Sequence, residues 1–353
     1  MEATPLDKVL KLRPTNVVMR LGVQSRLPVL NPRDLIASFE GRSALLLCVP
    51  AFSGAAIPGI LRASRDEDAV VGIACPHPLG ARDTPARFVE ALRDAAEEVR
   101  HRKPLFLQAG PFRLVSSDPR TREQLTSAVY KYVDAGFTLV SLDASRLPVD
   151  EAVAAYRELA PAAIERELSI EITAPLDEVH RLDVAALRAT LERLQKTRVQ
   201  PQFVRVPGRA YALEEHPREV WQLDMAVLKE ARDVVRGYGG WLSLEDEGLA
   251  PDQLAPAWLE GGARKVDPVE ASARIVLGSW SEALREQLRE LARTRGLHPR
   301  DLIASLDPAD QDAKVKLKAE ALSWSMTVDT MPPAGLRGTA SAAIAHLSFG
   351  GGY

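Results

Sequence analysis

The stretch TREQLTSAVYKYVDAGFTLVSLDASRLPVDEAVAAYRELA (121–160) decides how this chain reads. A helix-period amphipathic segment gives way after Gly136 to a short apolar run, TLVSL from Thr138. That run ends in the polar Asp143 and Ser145, and a second amphipathic segment follows. A run this short fits a buried strand, and its flanks are long enough to be helices. The same pattern recurs in ALLLCV from Ala44, AVVGIA from Ala69, LFLQ from Leu105, LSIEI from Leu168, FVRV from Phe203, WLSL from Trp241 and RKV from Arg264. Eight such units predict an α/β fold, a single (β/α)8 TIM barrel. An open doubly wound sheet is disfavoured because no glycine-rich dinucleotide fingerprint follows the first run.

Working outward, the barrel is expected over 31–290. An N-terminal extension occupies 1–30, a helical C-terminal extension 291–345 and a flexible tail 346–353. The heptapeptide PRDLIAS occurs twice, at 32–38 and 299–305. No third copy exists, which argues against a solenoid, and both copies read as helix starts. Asn31 suits an N-cap, Pro32 the first helical position and Asp34 the first turn, with Leu30 stapled to Leu35. His298 is the poorer cap of the two, and Leu297 pairs with Leu302. The first copy is expected to close the bottom of the barrel, and the second to begin the C-terminal extension.

Bulk properties narrow the function. The chain is 46% hydrophobic, enough for a large core. A formal charge of -3 carries no nucleic-acid signature, and no run approaches a membrane span. Two cysteines in 353 residues, and no signal-peptide pattern in 1–30, predict a cytoplasmic protein.

Functional groups of such a barrel gather at the C-terminal ends of its strands. In order these ends offer Cys48; Cys75 and His77; Gln108; Asp143 and Ser145; Glu171 and Thr173; Arg205 and Arg209; Glu245 and Glu247; Lys265 and Asp267. Alternation puts Asp143 with Ser145, Glu245 with Glu247, and Lys265 with Asp267 on shared faces. Cys48, Cys75 and His77 can be read as soft-metal ligands, but they lack a fourth donor, and buried free thiols are the commoner fate. Arg209 and Tyr211 read either as ligand contacts or as a self-packed loop.

The segment DAGFTLVSLDAS (134–145) resembles the fourth βα unit of the class II fructose- and tagatose-bisphosphate aldolases. ELSIEITAP (167–175), VRVPG (204–208) and RKVDPVEASARI (264–275) fit the same register. The likeness runs over roughly Asn31 to Trp280 and is most similar to the tagatose-bisphosphate aldolase subunit that lacks catalysis of its own. The family implies three zinc-binding histidines, the first in an Asp-His pair after strand three. Here Gly110 and Pro111 stand in that place, Pro207 and Gly208 at the strand-six position and Glu245 at the strand-seven position. A zinc site cannot be assembled from this set, and the enediolate of aldol chemistry loses its Lewis acid.

Three readings follow. The first is a non-catalytic or regulatory subunit of carbohydrate metabolism, working in a homo-oligomer or beside a catalytic partner. The second is an active lyase or isomerase on a sugar phosphate or related hydroxy-carbonyl compound. Lys265, Glu171 and Asp143 would be its catalytic groups, Gln108, Ser145, Arg205, Arg209 and Asp267 would hold substrate, and Glu245 and Glu247 would hold magnesium or manganese rather than zinc. The third is a sugar-phosphate binder without turnover, using Arg205, Arg209 and Lys265. A structural ion pair from Lys265 to Glu245 or Asp143 is the bland alternative. A Schiff-base role for Lys265 is disfavoured because acidic neighbours keep it protonated.

Overall fold

The computed structural model describes residues 3–76, 85–116, 118–208, 224–246, 258–309 and 312–350. Eight parallel strands close in sequence order: β1 (Leu46–Pro50), β2 (Val71–Cys75), β3 (Leu105–Arg113), β4 (Leu139–Asp143), β5 (Ser169–Thr173), β6 (Phe203–Val206), β7 (Trp241–Glu245) and β8 (Ala263–Asp267). The seam pairs Leu46 of β1 with Lys265 of β8. All eight apolar runs of the sequence are strands. The main difference is β3, which continues past Gln108 to Arg113 through a register shift between Ala109 and Phe112. The shift brings Arg113 beside Asp143.

Helices between the strands bury one face each. In the helix Pro119–Asp134, Leu125, Ala128, Val129, Tyr132 and Val133 point inward, at the three-to-four spacing that puts residues on one stripe. Asp118 caps its start by accepting from the Thr121 amide at 2.8 Å. Tyr132 and Phe137 pack with ring centroids 4.9 Å apart and planes tilted by 59°, joining this helix to the start of the next strand.

The two heptapeptides lie at opposite ends of the barrel. Leu30 N–H donates to the Leu105 carbonyl at 2.8 Å, so the chain just before the first copy crosses the N-terminal end of β3. Asn31 does not cap the following helix, Pro32–Ala37, with its side chain. Its amide donates instead to the Glu167 carbonyl at 2.8 Å and its side-chain oxygen accepts from the Ser169 hydroxyl, tying the turn to the start of β5. His298, expected to be the weaker cap, does accept from the Arg300 amide at 3.2 Å. The reversal has a physical reason: at the barrel bottom the Asn31 side chain finds buried strand-end partners, whereas the exposed His298 ring, with Nε2 4.0 Å from Glu270 Oε1, leaves Nδ1 to its own turn. Leu30 and Leu35 are both buried, as the staple requires, but Leu297 is about half exposed.

The extension after β8 begins earlier than residue 291. The eighth barrel helix is Val269–Ser279, and Glu282–Arg295 already belongs to the outer layer. The second heptapeptide follows as a 3-10 turn, Pro299–Leu302, and a short helix, Ile303–Leu306. The helix Ala313–Thr330 then runs down the outside against Ile57–Asp66 and Val269–Ser279. Contact there is close: a Cβ on Gly59 would come within 2.2 Å of the Glu320 carbonyl oxygen. The chain then returns to the barrel bottom, where Ala334 accepts from the Leu45 amide and Thr339 Oγ1 from the Val70 amide. Its last helix runs to Ser348 with Leu347 buried, so the tail expected from 346 starts as helix.

Candidate functional site in the barrel mouth

Strand ends aim a connected set of charges into the barrel and up to its mouth. At the centre, Lys265 Nζ donates to Glu171 Oε2 at 2.8 Å and to Asp267 Oδ1 and Oδ2 at 2.7 and 2.8 Å, with Ser243 Oγ at 3.3 Å. The Ser141 hydroxyl donates to the other Glu171 oxygen at 2.7 Å. Above them, Arg205 Nη2 donates to Glu245 Oε2 at 2.6 Å, and Gln108 Nε2 to Asp267 Oδ2 at 3.3 Å. Lys265, Glu171 and Asp267 are all fully buried.

The network reaches the C-terminal extension. Arg300, the arginine of the second heptapeptide, lies 3.5 Å from Glu245 Oε1 and donates to Glu270 Oε1 at 2.9 Å. Asp143 accepts from the Ser145 hydroxyl at 2.7 Å and from Arg113 Nε at 3.1 Å. Asp246, next to Glu245, accepts from the Glu270 and Ala271 amides and so caps the helix Val269–Ser279. A pocket of about 110 Å3 opens among these groups. Gln108, Arg113, Arg205, Glu245, Asp267 and Arg300 are among its lining.

Burial and pairing set the protonation states. Burial alone would lower the Lys265 pKa, but Asp267 and Glu171 outweigh it and hold the ammonium above its ordinary value. For Glu171, burial is outweighed by Lys265 and Arg205, and its carboxyl is held below the usual range. Asp267 is raised by burial and by Glu171, because two carboxylates share one ammonium. Arg205 is held above its usual value, its burial outweighed by Glu245 and Asp267. Asp246 is pushed up to about 7 by burial, against the pull of its two backbone donors. The Cys48 thiol is raised well above its ordinary value by burial and by Asp267, which keeps it protonated.

The structure brings together Gln108, Glu171, Arg205, Glu245, Lys265 and Asp267 of the residues singled out in the sequence. Asp143 and Ser145 form a separate pair on the Arg113 side. The lysine pairs with Glu171 and Asp267 rather than with Glu245 or Asp143. Cys48 and Cys75 are buried free thiols, and Cys75 Sγ lies 3.5 Å from the Tyr132 hydroxyl. His77, Arg209, Tyr211 and Glu247 lie outside the described residues. Sequence reading missed Arg113, Ser141, Ser243, Glu270, Arg300 and Asp301. Only the repeated Arg-Asp of the heptapeptide gave a signal, and it carried no information about place.

As for a divalent cation, an oxygen-ligand site needs carboxylate lone pairs that are not already taken. Both Glu171 oxygens are met by Lys265 and Ser141, both Asp267 oxygens by Lys265, and the Glu245 oxygens face Arg205 and Arg300. Each of these carboxylate oxygens thus already meets an ammonium, hydroxyl or guanidinium group, and Glu247, the other residue expected to hold a metal, lies outside the described residues.

Solved structures share the architecture. The YdjI aldolase from Escherichia coli K12 superposes with a TM-score of 0.59 at 13% identity, covering 87% of this chain and 97% of that one. Fructose-bisphosphate aldolase from Campylobacter jejuni gives 0.57 at 11% identity, over 87% and 94%. A putative fructose-1,6-bisphosphate aldolase from Coccidioides immitis gives 0.52 at 15%, over 87% and 96%. The chain has the TIM-barrel fold of aldolases. At these identities the likeness speaks for the fold alone. No protein-family model matches the sequence, and no curated protein matches it. Among the described residues, no helix is long and apolar enough to cross a membrane.

Proposed function

We propose that this protein is an aldolase-like barrel of carbohydrate metabolism that does not carry out zinc-dependent aldol cleavage and serves as a non-catalytic or regulatory subunit. The observation that carries the reading is the self-paired mouth: Lys265, Arg205 and Arg300 neutralise Glu171, Asp267, Glu245 and Glu270 from within. An active site keeps its acids and bases poised for substrate, whereas a structural plug satisfies them internally. The positions where the resemblance implies zinc histidines hold Gly110, Pro111, Pro207, Gly208 and Glu245. The test is direct. Zinc-loaded protein incubated with fructose or tagatose 1,6-bisphosphate should release no triose phosphate, and release that a chelator abolishes would overturn the reading. A cytoplasmic homo-oligomer, or a complex with a catalytic partner subunit, is the setting this role implies, and analytical ultracentrifugation of the purified chain tests the homo-oligomer.

The pocket itself favours a second reading, an active lyase or isomerase. Glu245 and Asp267 open into it beside Arg205. In that reading Lys265, held as an ammonium, stabilises a developing oxyanion rather than abstracting a proton. Turnover of a hydroxy-carbonyl compound that requires magnesium or manganese and is lost in Glu245→Gln would establish it. Turnover that ignores both changes would remove it.

A further inference from the structure

Among the described residues, two polar atoms on side chains that line the mouth pocket have no hydrogen-bond partner. Gln108 is 2% exposed, and its Nε2 is committed to Asp267, which fixes the amide orientation and leaves Oε1 without a donor. Arg205 is 5% exposed, and its Nε has no acceptor: the Asp267 oxygen is 3.9 Å away, beyond hydrogen-bond reach. Both side chains line the same pocket. A third orphan, Thr173 Oγ1, sits on β5 in register with Arg205. Thr173 is not part of the pocket wall, but buried polar groups are nearly always satisfied, so two orphans on side chains that line one pocket mark the place of something that satisfies them.

The chemistry of that something can be narrowed. Gln108 Oε1 needs a donor and Arg205 Nε an acceptor, and a hydroxyl group supplies both from one oxygen. The pocket's described cations are already committed, Arg113 to Asp143, Arg205 to Glu245 and Arg300 to Glu245 and Glu270. No described cation is left over for a phosphate, and an added anion would meet Glu245 and Asp267 in the wall. At about 110 Å3 the pocket is well below the ~300–1,000 Å3 of sites that hold drug-sized ligands, which favours a small occupant.

We propose that the barrel mouth binds a small uncharged polyol or hydroxyketone, one hydroxyl of which bridges Gln108 Oε1 and Arg205 Nε under a seal formed by Arg300 and Asp301. The proposal goes beyond the non-catalytic reading and does not depend on it, because binding is measured without turnover. Occupancy of the site is coupled to the C-terminal extension through Arg300, which touches both the wall acid Glu245 and the helix residue Glu270.

Ligand-observed saturation-transfer NMR on the full chain tests it, with glycerol, erythritol and dihydroxyacetone as uncharged probes and glycerol 3-phosphate and inorganic phosphate as charged ones. The expected result is saturable binding of at least one uncharged probe, uncompeted by phosphate. Gln108→Met, with retained fold checked by circular dichroism because the change also removes the Nε2 bond to Asp267, should weaken it at least tenfold. Arg300→Ala, on the surface side of the seal, should speed dissociation without loss of fold. Binding confined to the phosphorylated probes, uncharged binding that Gln108→Met does not weaken, or no saturable binding of any probe would each overturn the proposal, the last meaning that ordered water alone fills the pocket. Failure of this test leaves the aldol-cleavage assay untouched, so the two readings fall separately.

Discussion

Identical residues, PRDLIAS, close this barrel at both ends, and they do so by different physics. At the bottom, Leu35 and Ile36 sink into the central core while Arg33 reaches only its neighbour Asp34 at 3.5 Å. At the top, Leu302 and Ile303 join a satellite cluster with Phe52, Val269 and Trp280, and the equivalent arginine, Arg300, bridges two acids of the barrel. Even the backbone differs, a helix over Pro32–Ala37 against a 3-10 turn over Pro299–Leu302. A local sequence specifies that a turn starts here, and the surroundings decide whether its apolar or its charged side chains do the work.

The sharpest way to break this contrast is to remove the charge on which the upper end is built. Lys265→Met leaves Glu171 and Asp267 buried without a counter-ion, and urea unfolding should show a loss of about 3–5 kcal/mol. A neutral effect would mean that the core of the network is hydrated. Next come the matched leucines. Leu35→Ala should cost about 2–5 kcal/mol in global unfolding. Leu302→Ala should act locally, raising amide exchange over 299–306 and 269–280 more than it lowers the global midpoint, because its cluster is a satellite. Equal global losses would erase the distinction between the ends.

Acid–base behaviour supplies the third test. Asp246 has a folded-state pKa of about 7 against 3.8 for the free group, so the folded state holds the extra proton between about pH 4 and about pH 7. Its contribution therefore makes stability fall as pH rises through that window. His101, lowered to about 4 by burial, works in the opposite direction over much of the same range. The readout is thus a difference: Asp246→Asn should gain on the wild type as pH rises from 5 to 8, while the two converge in acid. The smallest effect is expected at the arginines. Arg300→Ala should cost no more than about 1 kcal/mol and depend on salt, and Arg33→Ala should be near neutral.

Much of the fold was legible because burial on both faces writes each strand as a continuous apolar run, and eight such runs with helical spacers admit few topologies. The Lys265–Asp267 pair was legible for the same reason, since residues two apart on a strand share a face. The Lys265–Glu171 contact was not, because β5 and β8 meet only across the barrel interior, where sheet order gives no register. Arg300 and Asp301 were invisible as site residues because they enter the mouth from a segment beyond the last strand. The Asn31 and His298 caps were inverted because capping preference describes an isolated turn, and Asn31 had better partners in Glu167 and Ser169.

The path of the C-terminal extension has a kinetic meaning. Residues 334–340 hydrogen-bond to Leu45 and Val70 at the base of the first two strands, and 269 positions separate Val70 from Thr339. Segments made earlier normally fold first during synthesis, but here the outer face of the first βα unit waits uncovered until Ala313–Thr330 has been made. Contacts of such long sequence separation slow folding. Nascent chains stalled before Ala313 should therefore expose the apolar side of Ile57–Asp66 and depend on chaperones, and the barrel should close in a single late step once residues 313–340 are out.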